Sequence, residues 1–198
     1  SLHMDLTPGS EIVVQKSMLQ RGGRDLIALS GPDGEIAQAL ADENQIAARK
    51  FLQEYKELFP QNFYLEVTRI DAPQEEEYLR KLIPLARQTK TPIVATNNVR
   101  YVNEGEYEAH EIRVCINDGR ILDDPRRPRL YTEQQHLRTT QEMVRVFDDL
   151  PSAIQNSIQI SHRCNVFLEF DTVHMPEIPT VGEDSVNTNL ETIAAERL

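Results

Sequence analysis

Basic charge is scarce in this sequence: 21 Lys and Arg stand against 32 Asp and Glu, a formal charge of -11 over 198 residues. A chain that grips nucleic acid without regard to sequence needs clustered cations in excess, so that class is disfavoured and any DNA it serves is held elsewhere. Cysteine is nearly absent. Cys115 and Cys164 stand far apart, in neither CxxC nor Cys/His ligand spacing, and read as small buried hydrophobes rather than as a disulfide framework or a zinc site. No apolar run approaches the roughly 20 residues that span a bilayer, and no charged-then-apolar signal opens the chain, so a cytoplasmic location is expected. Glycine totals eight and forms no phosphate cradle. GxGxxG, P-loop and GxSxG are all missing, and Gly31-Pro-Asp-Gly34 is too short to replace them.

What is present is ordinary for a folded protein: 39% hydrophobic, 27% charged and 6% aromatic. That argues against disorder and, with the length, for one domain or at most two. Ser1-Leu-His-Met4 reads as vector sequence left by tag removal and is set aside. Leu26 to Ser30, Phe63 to Val67 and Pro92 to Thr96 are short apolar runs with the profile of strands. Between them, a helix is expected from Glu35, broken at Asp42 to Asn44. A second follows from Gln45, with Ala47, Phe51, Tyr55 and Leu58 on one face and its end before Pro60. A third starts near Pro73 and shows Tyr78, Leu79, Leu82, Ile83 and Ala86, with Pro84 inside it at a cost of about 3 kcal/mol unless the helix bends there. This βα rhythm calls for a parallel sheet whose strand ends carry the functional loops.

Further on, Glu104 to Cys115 reads as helix, and Asp118-Gly119 and Asp123-Asp-Pro125 as turns. Thr139 and Thr140 before Glu142 suit the start of a short helix through Phe147. Pro151 suits the first turn of another reaching Arg163, with Ala153, Ser157 and Ile160 on its apolar side and Ile154 and Ile158 beside them. Phe167 to Phe170 resembles a lone strand, Pro176 to Gly182 a linker, and Thr188 to Leu198 a helix with too few apolar residues to bury itself alone.

Chemistry-bearing residues are thinly supplied. His110 on its helix reads as a helix-to-loop hydrogen bond, and His136, His162 and His174 have no spacing that lets two hold one metal. Glu75-Glu-Glu77 is an acid-rich first turn favoured by the helix dipole. Arg126-Arg-Pro-Arg129 is the one dense basic cluster, readable as partners for Asp123 and Asp124 or as contact with phosphate or an acidic partner. No catalytic, cofactor-binding or metal-ligating residue emerges from the pattern.

Ala95-Thr-Asn-Asn-Val-Arg-Tyr101, followed by Glu108-Ala-His-Glu111, resembles the N-terminal polymerase-and-histidinol-phosphatase (PHP) domain of the bacterial replicative DNA polymerase III alpha subunits, in their proteobacterial form. The resemblance extends through Leu29-Ser-Gly31, Phe63-Tyr-Leu-Glu66, Leu122-Asp-Asp-Pro125, Arg127-Pro-Arg129 and Arg163-Cys-Asn-Val166. It implies an α/β fold: part of a PHP-type distorted (βα) barrel with short, mostly parallel strands and flanking helices. Residues 5–166 would be the later part of the PHP domain, and 167–198 a linker and the start of the palm. The family's early His-x-His segment, the palm's catalytic aspartates with their Mg, the thumb and the fingers have no counterpart here, so this segment alone is not expected to polymerise DNA.

Metal-binding members carry Asp-x-His after the Thr-Asn of the third strand, where this sequence has Asn98-Val99-Arg100, and a further family His aligns with Ile70. Asn98 is neutral, Ile70 has no donor atom, and Arg100 is a permanent cation that repels a divalent ion. The resemblance thus implies degenerate ligand positions at Ile70, Asn98 and Arg100, with no metal, and Arg100 paired with a strand-end carboxylate such as Glu66. The function implied is a non-catalytic scaffold segment of the replicative DNA-directed DNA polymerase, helping to dock the proofreading exonuclease subunit. Its partners would be that subunit and the remainder of the alpha chain, with DNA met through other domains and no membrane. The alternative is a metal-dependent phosphoesterase, either a pyrophosphatase or a 3'-5' exonuclease.

Overall fold

In the computed structural model the described residues are 16–23, 25–168, 170 and 194–195. The expected vector remnant at 1–4 and the linker around Pro176 to Gly182 lie outside them. The chain divides into two units, Ser1–Cys164 and Asn165–Leu198.

The first unit is organised by three parallel strands, β1 (Ala28–Ser30), β2 (Phe63–Val67) and β3 (Ile93–Ala95), in spatial order β1-β2-β3. Ala28 pairs with Phe63, and Leu65 with Ile93. β2 is central, and all its residues but the half-buried Glu66 are buried, which is why it reads as an almost unbroken apolar run. The expected parallel α/β sheet is therefore present, and among the described residues it extends to three strands, short of a barrel.

α1 (Lys16–Gly22) precedes β1 and packs Leu19 against the core. α2 (Glu35–Ala41) and α3 (Gln45–Leu58) cross from β1 to β2. The break between them is an N-cap: Asn44 Oδ1 accepts from the Ala47 backbone N–H at 3.0 Å. Asn44→Ala should cost about 1 kcal/mol, read as a shift in the urea midpoint, and Asn44→Asp far less. The buried residues of α3 are Ala48 and Leu52, while Ala47, Phe51, Tyr55 and Leu58 pack half-buried around them, so the inward face is centred one residue later than the spacing suggested.

α4 (Glu75–Thr89) joins β2 to β3 and runs on through Pro84. Pro84 and Arg80 are exposed, so the carbonyl that proline leaves without a helical donor faces water, which lowers the penalty. After β3 a 3-10 turn (Glu104–Glu106) leads into α5 (Tyr107–Asp118), which closes at Gly119 in the left-handed conformation with φ 62°. α6 (Thr140–Val146) carries a capping box between Thr139 and Glu142. α7 (Pro151–Arg163) has proline in its first turn, as expected.

α7 seals one edge of the sheet. Asn156 Nδ2 donates to the Ile93 carbonyl at 2.7 Å, and Ser157 Oγ to the Ala95 carbonyl at 2.6 Å. Backbone acceptors that would otherwise invite another strand are thereby occupied by side chains. The inward side of α7 is accordingly Ala153 with Asn156 and Ser157, while Ile158 is exposed. α6 and α7 are also tied to the end of β2. Phe147, fully buried between the two helices, lies under the Arg69 guanidinium at 5.2 Å, and Arg69 grips Asp149 with two bonds of 2.7 and 2.8 Å.

That grip sets a pH dependence. The Arg69 hydrogen bonds hold the Asp149 carboxyl below its usual range. A lowered folded-state pKa contributes stability that is present above the unfolded value near 3.9 and is lost as pH falls through the folded value. Asp149 is half exposed, so solvent screening limits the pair to less than about 1 kcal/mol. Asp149→Asn should remove that part of the acid limb, below the unfolded value near 3.9, in a thermal melt series and leave its upper end unchanged.

In the second unit, Asn165 to Leu168 form no strand, and Phe167 and Phe170 are 94% and 86% exposed. The strand expected over Phe167 to Phe170 is absent among the described residues, since nothing there offers it a ladder of backbone partners. Ala194 and Ala195 are helical, inside the expected terminal helix.

Candidate functional site

The C-terminal ends of the three strands open into a cavity of about 620 Å³. Asp33 enters it from the loop after β1, Thr68 and Ile70 from the loop after β2, and Asn98 and Arg100 from the loop after β3. Tyr78 and Lys81 of α4 and Tyr131 of the long 119–138 connection complete its wall. Ile70, Asn98 and Arg100, scattered in sequence, thus line one cavity.

The loops are held by hydrogen bonds that use up the local polar groups. Glu75 Oε1 accepts from the Thr68 hydroxyl at 2.8 Å and, with Oε2, from the Ile70 N–H at 3.0 Å; Oε2 also takes the Asp71 N–H at 3.1 Å. The first of the three consecutive glutamates therefore does more than favour the helix dipole. It fastens the loop after β2. Asn98 has φ 42°, a left-handed conformation that asparagine tolerates better than most residues. Its carbonyl accepts from Gln135 Nε2 at 3.1 Å, and Arg100 N–H donates to the Gln135 carbonyl at 2.8 Å. Asn97 Nδ2 bonds the carbonyls of Gln134 and His136 at 2.9 and 2.7 Å. Gln135, 1% exposed, is the hub that clips segment 132–136 to the end of β3. Sequence reasoning missed it, because a glutamine in a polar loop carries no local signal of burial.

Glu66 and Arg100 do not pair. Glu66 Oε1 accepts from the Thr96 hydroxyl at 2.6 Å, and a Cβ at Gly31 would sit 2.7 Å from Oε2, so the carboxylate spans the ends of all three strands and would have to shift for a larger residue at 31. Arg100 lies over the Tyr131 ring at 5.1 Å instead. Among the described residues no ion pair joins the two. The expected charge pair is corrected: the carboxylate satisfies a neighbouring strand and the cation finds an aromatic face. Tyr78, whose hydroxyl donates to the Glu66 carbonyl at 3.3 Å, is pushed well above the usual phenol range by burial and then by the charges of Glu66 and Asp33. It remains a neutral donor at any physiological pH.

A divalent metal does not fit these residues. Glu75 is occupied by backbone and hydroxyl donors, Glu66 by Thr96, and Glu77 by Lys81 at 2.8 Å. Two cations, Arg100 and Lys81, line the same space, and no three His, Cys, Asp or Glu converge among the described residues. Ile70 presents a buried aliphatic wall where a ligand would be needed.

The other candidates resolve into structure. Arg126 pairs with Asp124 at 3.1 Å on the surface, whereas Arg127 forms a buried ion pair with Glu111 of α5. Asp124 thus has the partner that the bland reading of the cluster gave it. His110 makes its helix-to-loop contact through its ring, 4.7 Å from Tyr131 and 5.6 Å from Tyr101, and its Nε2 has no hydrogen-bond partner, contrary to expectation. Cys115 is buried as expected, but Cys164 is exposed, standing just past the end of α7. No helix among the described residues is long and apolar enough to cross a membrane.

No family model matches the chain. It is, however, 40% identical over 189 residues to a DNA polymerase III subunit alpha of Pseudomonas aeruginosa, covering 95% of this chain and 16% of that protein. Against the subunit alpha of Vibrio cholerae it is 42% identical over 171 residues, 86% of this chain and 15% of the relative. Against that of Escherichia coli K12 the figures are 38% over 187 residues, 94% and 16%. The chain spans about a sixth of the length of these relatives. Identity of this order along nearly the whole chain shows that it matches one segment of the proteobacterial DNA polymerase III alpha subunits.

Proposed function

We propose that this chain is a non-catalytic scaffold segment of the replicative polymerase, built on a degenerate PHP-type domain and helping to dock the proofreading exonuclease subunit. One observation carries the reading: the positions where metal-binding PHP domains place ligands, Ile70, Asn98 and Arg100, meet in one cavity as an aliphatic wall, a neutral amide and a cation. Water activation by metal ions needs carboxylate and imidazole donors that are free to coordinate. Of the carboxylates there, Glu75 is bound to backbone and hydroxyl donors, Glu66 to a hydroxyl and Glu77 to lysine, so Asp33 on the cavity wall has neither a second free carboxylate nor an imidazole beside it. What the residues build instead is a rigid set of loops, which serves docking. Polymerisation, with its Mg, belongs to parts of the alpha chain outside this segment, and DNA is met there, in keeping with the acidic balance here.

The whole alpha chain should bind the exonuclease subunit with a dissociation constant of micromolar or tighter in calorimetry, and should show no chelator-sensitive release of phosphate or 3' nucleotides beyond that subunit's own activity. Metal-dependent turnover by the alpha chain alone, lost with EDTA, would instead establish the phosphoesterase. Absence of binding would remove the docking role.

A further inference from the structure

In the cavity at the strand ends the fold positions a cation and gives it no anion. Arg100 is exposed, and its side chain makes no hydrogen bond or ion pair among the described residues; its guanidinium rests on the Tyr131 ring at 5.1 Å. Stacking fixes the plane of the group without using its N–H donors, which stay free in that plane. In the same loop the Asn98 side-chain amide is also unengaged among the described residues, only its backbone carbonyl being taken, by Gln135. Much of the remaining wall is apolar: Ala37, Leu40 and Ile70 are buried and line the same space. An apolar cavity of about 620 Å³ with a few convergent polar groups has the form of a small-molecule site.

We propose that this cavity binds a small monocarboxylate with an apolar body, its head group held by Arg100 and Asn98 and its body lying against Ile70 and Leu40. The inference deepens the reading of the cavity as one that holds no metal, and rests on it. A carboxylate matches the paired, parallel donors of a guanidinium and keeps lone pairs for the Asn98 amide. Charge selects it over a phosphate. Asp33 lines the cavity and forms no ion pair among the described residues. Strands β1 and β3, whose loops carry Asp33 and Arg100, lie two strand spacings apart, about 10 Å. Asp33 therefore acts on a ligand at Arg100 as an uncompensated negative charge, and repels a phosphate dianion twice as strongly as a carboxylate. Lys81 does not offset this, because Glu77 neutralises it at 2.8 Å.

The test uses the whole alpha chain with 4-phenylbutanoate as the probe, followed by saturation-transfer NMR in the presence of EDTA. A dissociation constant of about millimolar is expected for a ligand of that size. Arg100→Met should weaken binding about tenfold or more, Arg100→Lys by less, and Asp33→Asn should tighten it about threefold. Arg100 and Asp33 are exposed, so thermal melts of the variants should match the parent and exclude a folding defect. 4-Phenylbutyl phosphate and 4-phenylbutanol, which share the probe's body, should both bind more weakly. Absence of binding at about 10 mM, equal affinity for the parent and Arg100→Met, or preference for the phosphate would each overturn the proposal and leave the scaffold and docking roles standing. Metal-dependent turnover lost with EDTA would instead strike the scaffold reading, and with it the metal-free cavity on which this site depends.

Discussion

Phe147→Ala should destabilise the protein by about 3–5 kcal/mol, lowering its melting temperature by roughly 10 °C. Phe147 is 0% exposed and is the largest of the fully buried side chains. It joins α6 and α7 to the core formed by the sheet and α4. Removing the ring leaves a void that the surrounding Leu150, Ala153 and Met143 cannot fill without moving a helix. It also takes the aromatic face from beneath Arg69, whose Nε is already buried without a partner. Phe147→Leu keeps much of the volume and should cost less than half as much. Equilibrium urea unfolding of the three proteins checks the order, and a similar loss for both variants would show that the ring's contact with Arg69, rather than cavity formation, governs the site.

Breaking the Glu111–Arg127 pair should have an effect of similar size. Glu111→Ala leaves the Arg127 guanidinium in an interior that holds both side chains at 5% exposure or less, and an uncompensated buried charge is among the more damaging defects a fold can carry. A fall in melting temperature of roughly 10 °C is expected. The pair itself contributes little beyond its mutual compensation, because Glu111 Oε1 remains buried without a donor. The double substitution Glu111→Leu with Arg127→Met should therefore recover most of the loss. Differential scanning calorimetry of both singles and the double gives the coupling directly. A double variant as unstable as the worse single would mean that the pair fixes the seating of α5 in a way apolar packing cannot replace.

Much of the first unit was legible from its residues. β2 announced itself because both its faces are covered, which writes an apolar run into the sequence. Thr139 and Pro151 marked helix starts, because an orphaned first turn has few chemical remedies and each is a local one.

The pairings were not legible. Arg100 was expected on Glu66 and lies on Tyr131, Glu66 reaches Thr96, and Gln135 holds the loops at the end of β3. Each contact joins residues from different elements, and its strength depends on burial and distance, quantities that no local pattern encodes. Periodicity likewise placed the inward face of α3 one residue early, because the packing of α2 along it decides which side is covered.

By itself the sequence determined most of the helices and all three strands of the first unit, and the parallel βα order of the sheet. Those properties follow from side-chain identity and spacing of 2 or 3.6 residues along the chain. The tertiary structure alone decided which polar groups satisfy one another, that α7 plugs the β3 edge through Asn156 and Ser157, and that α5 turns Glu111 inward and Ile112 outward. It could do so because a buried charge or carbonyl must find its complement wherever the fold brings one within reach, however far away that residue lies in the chain.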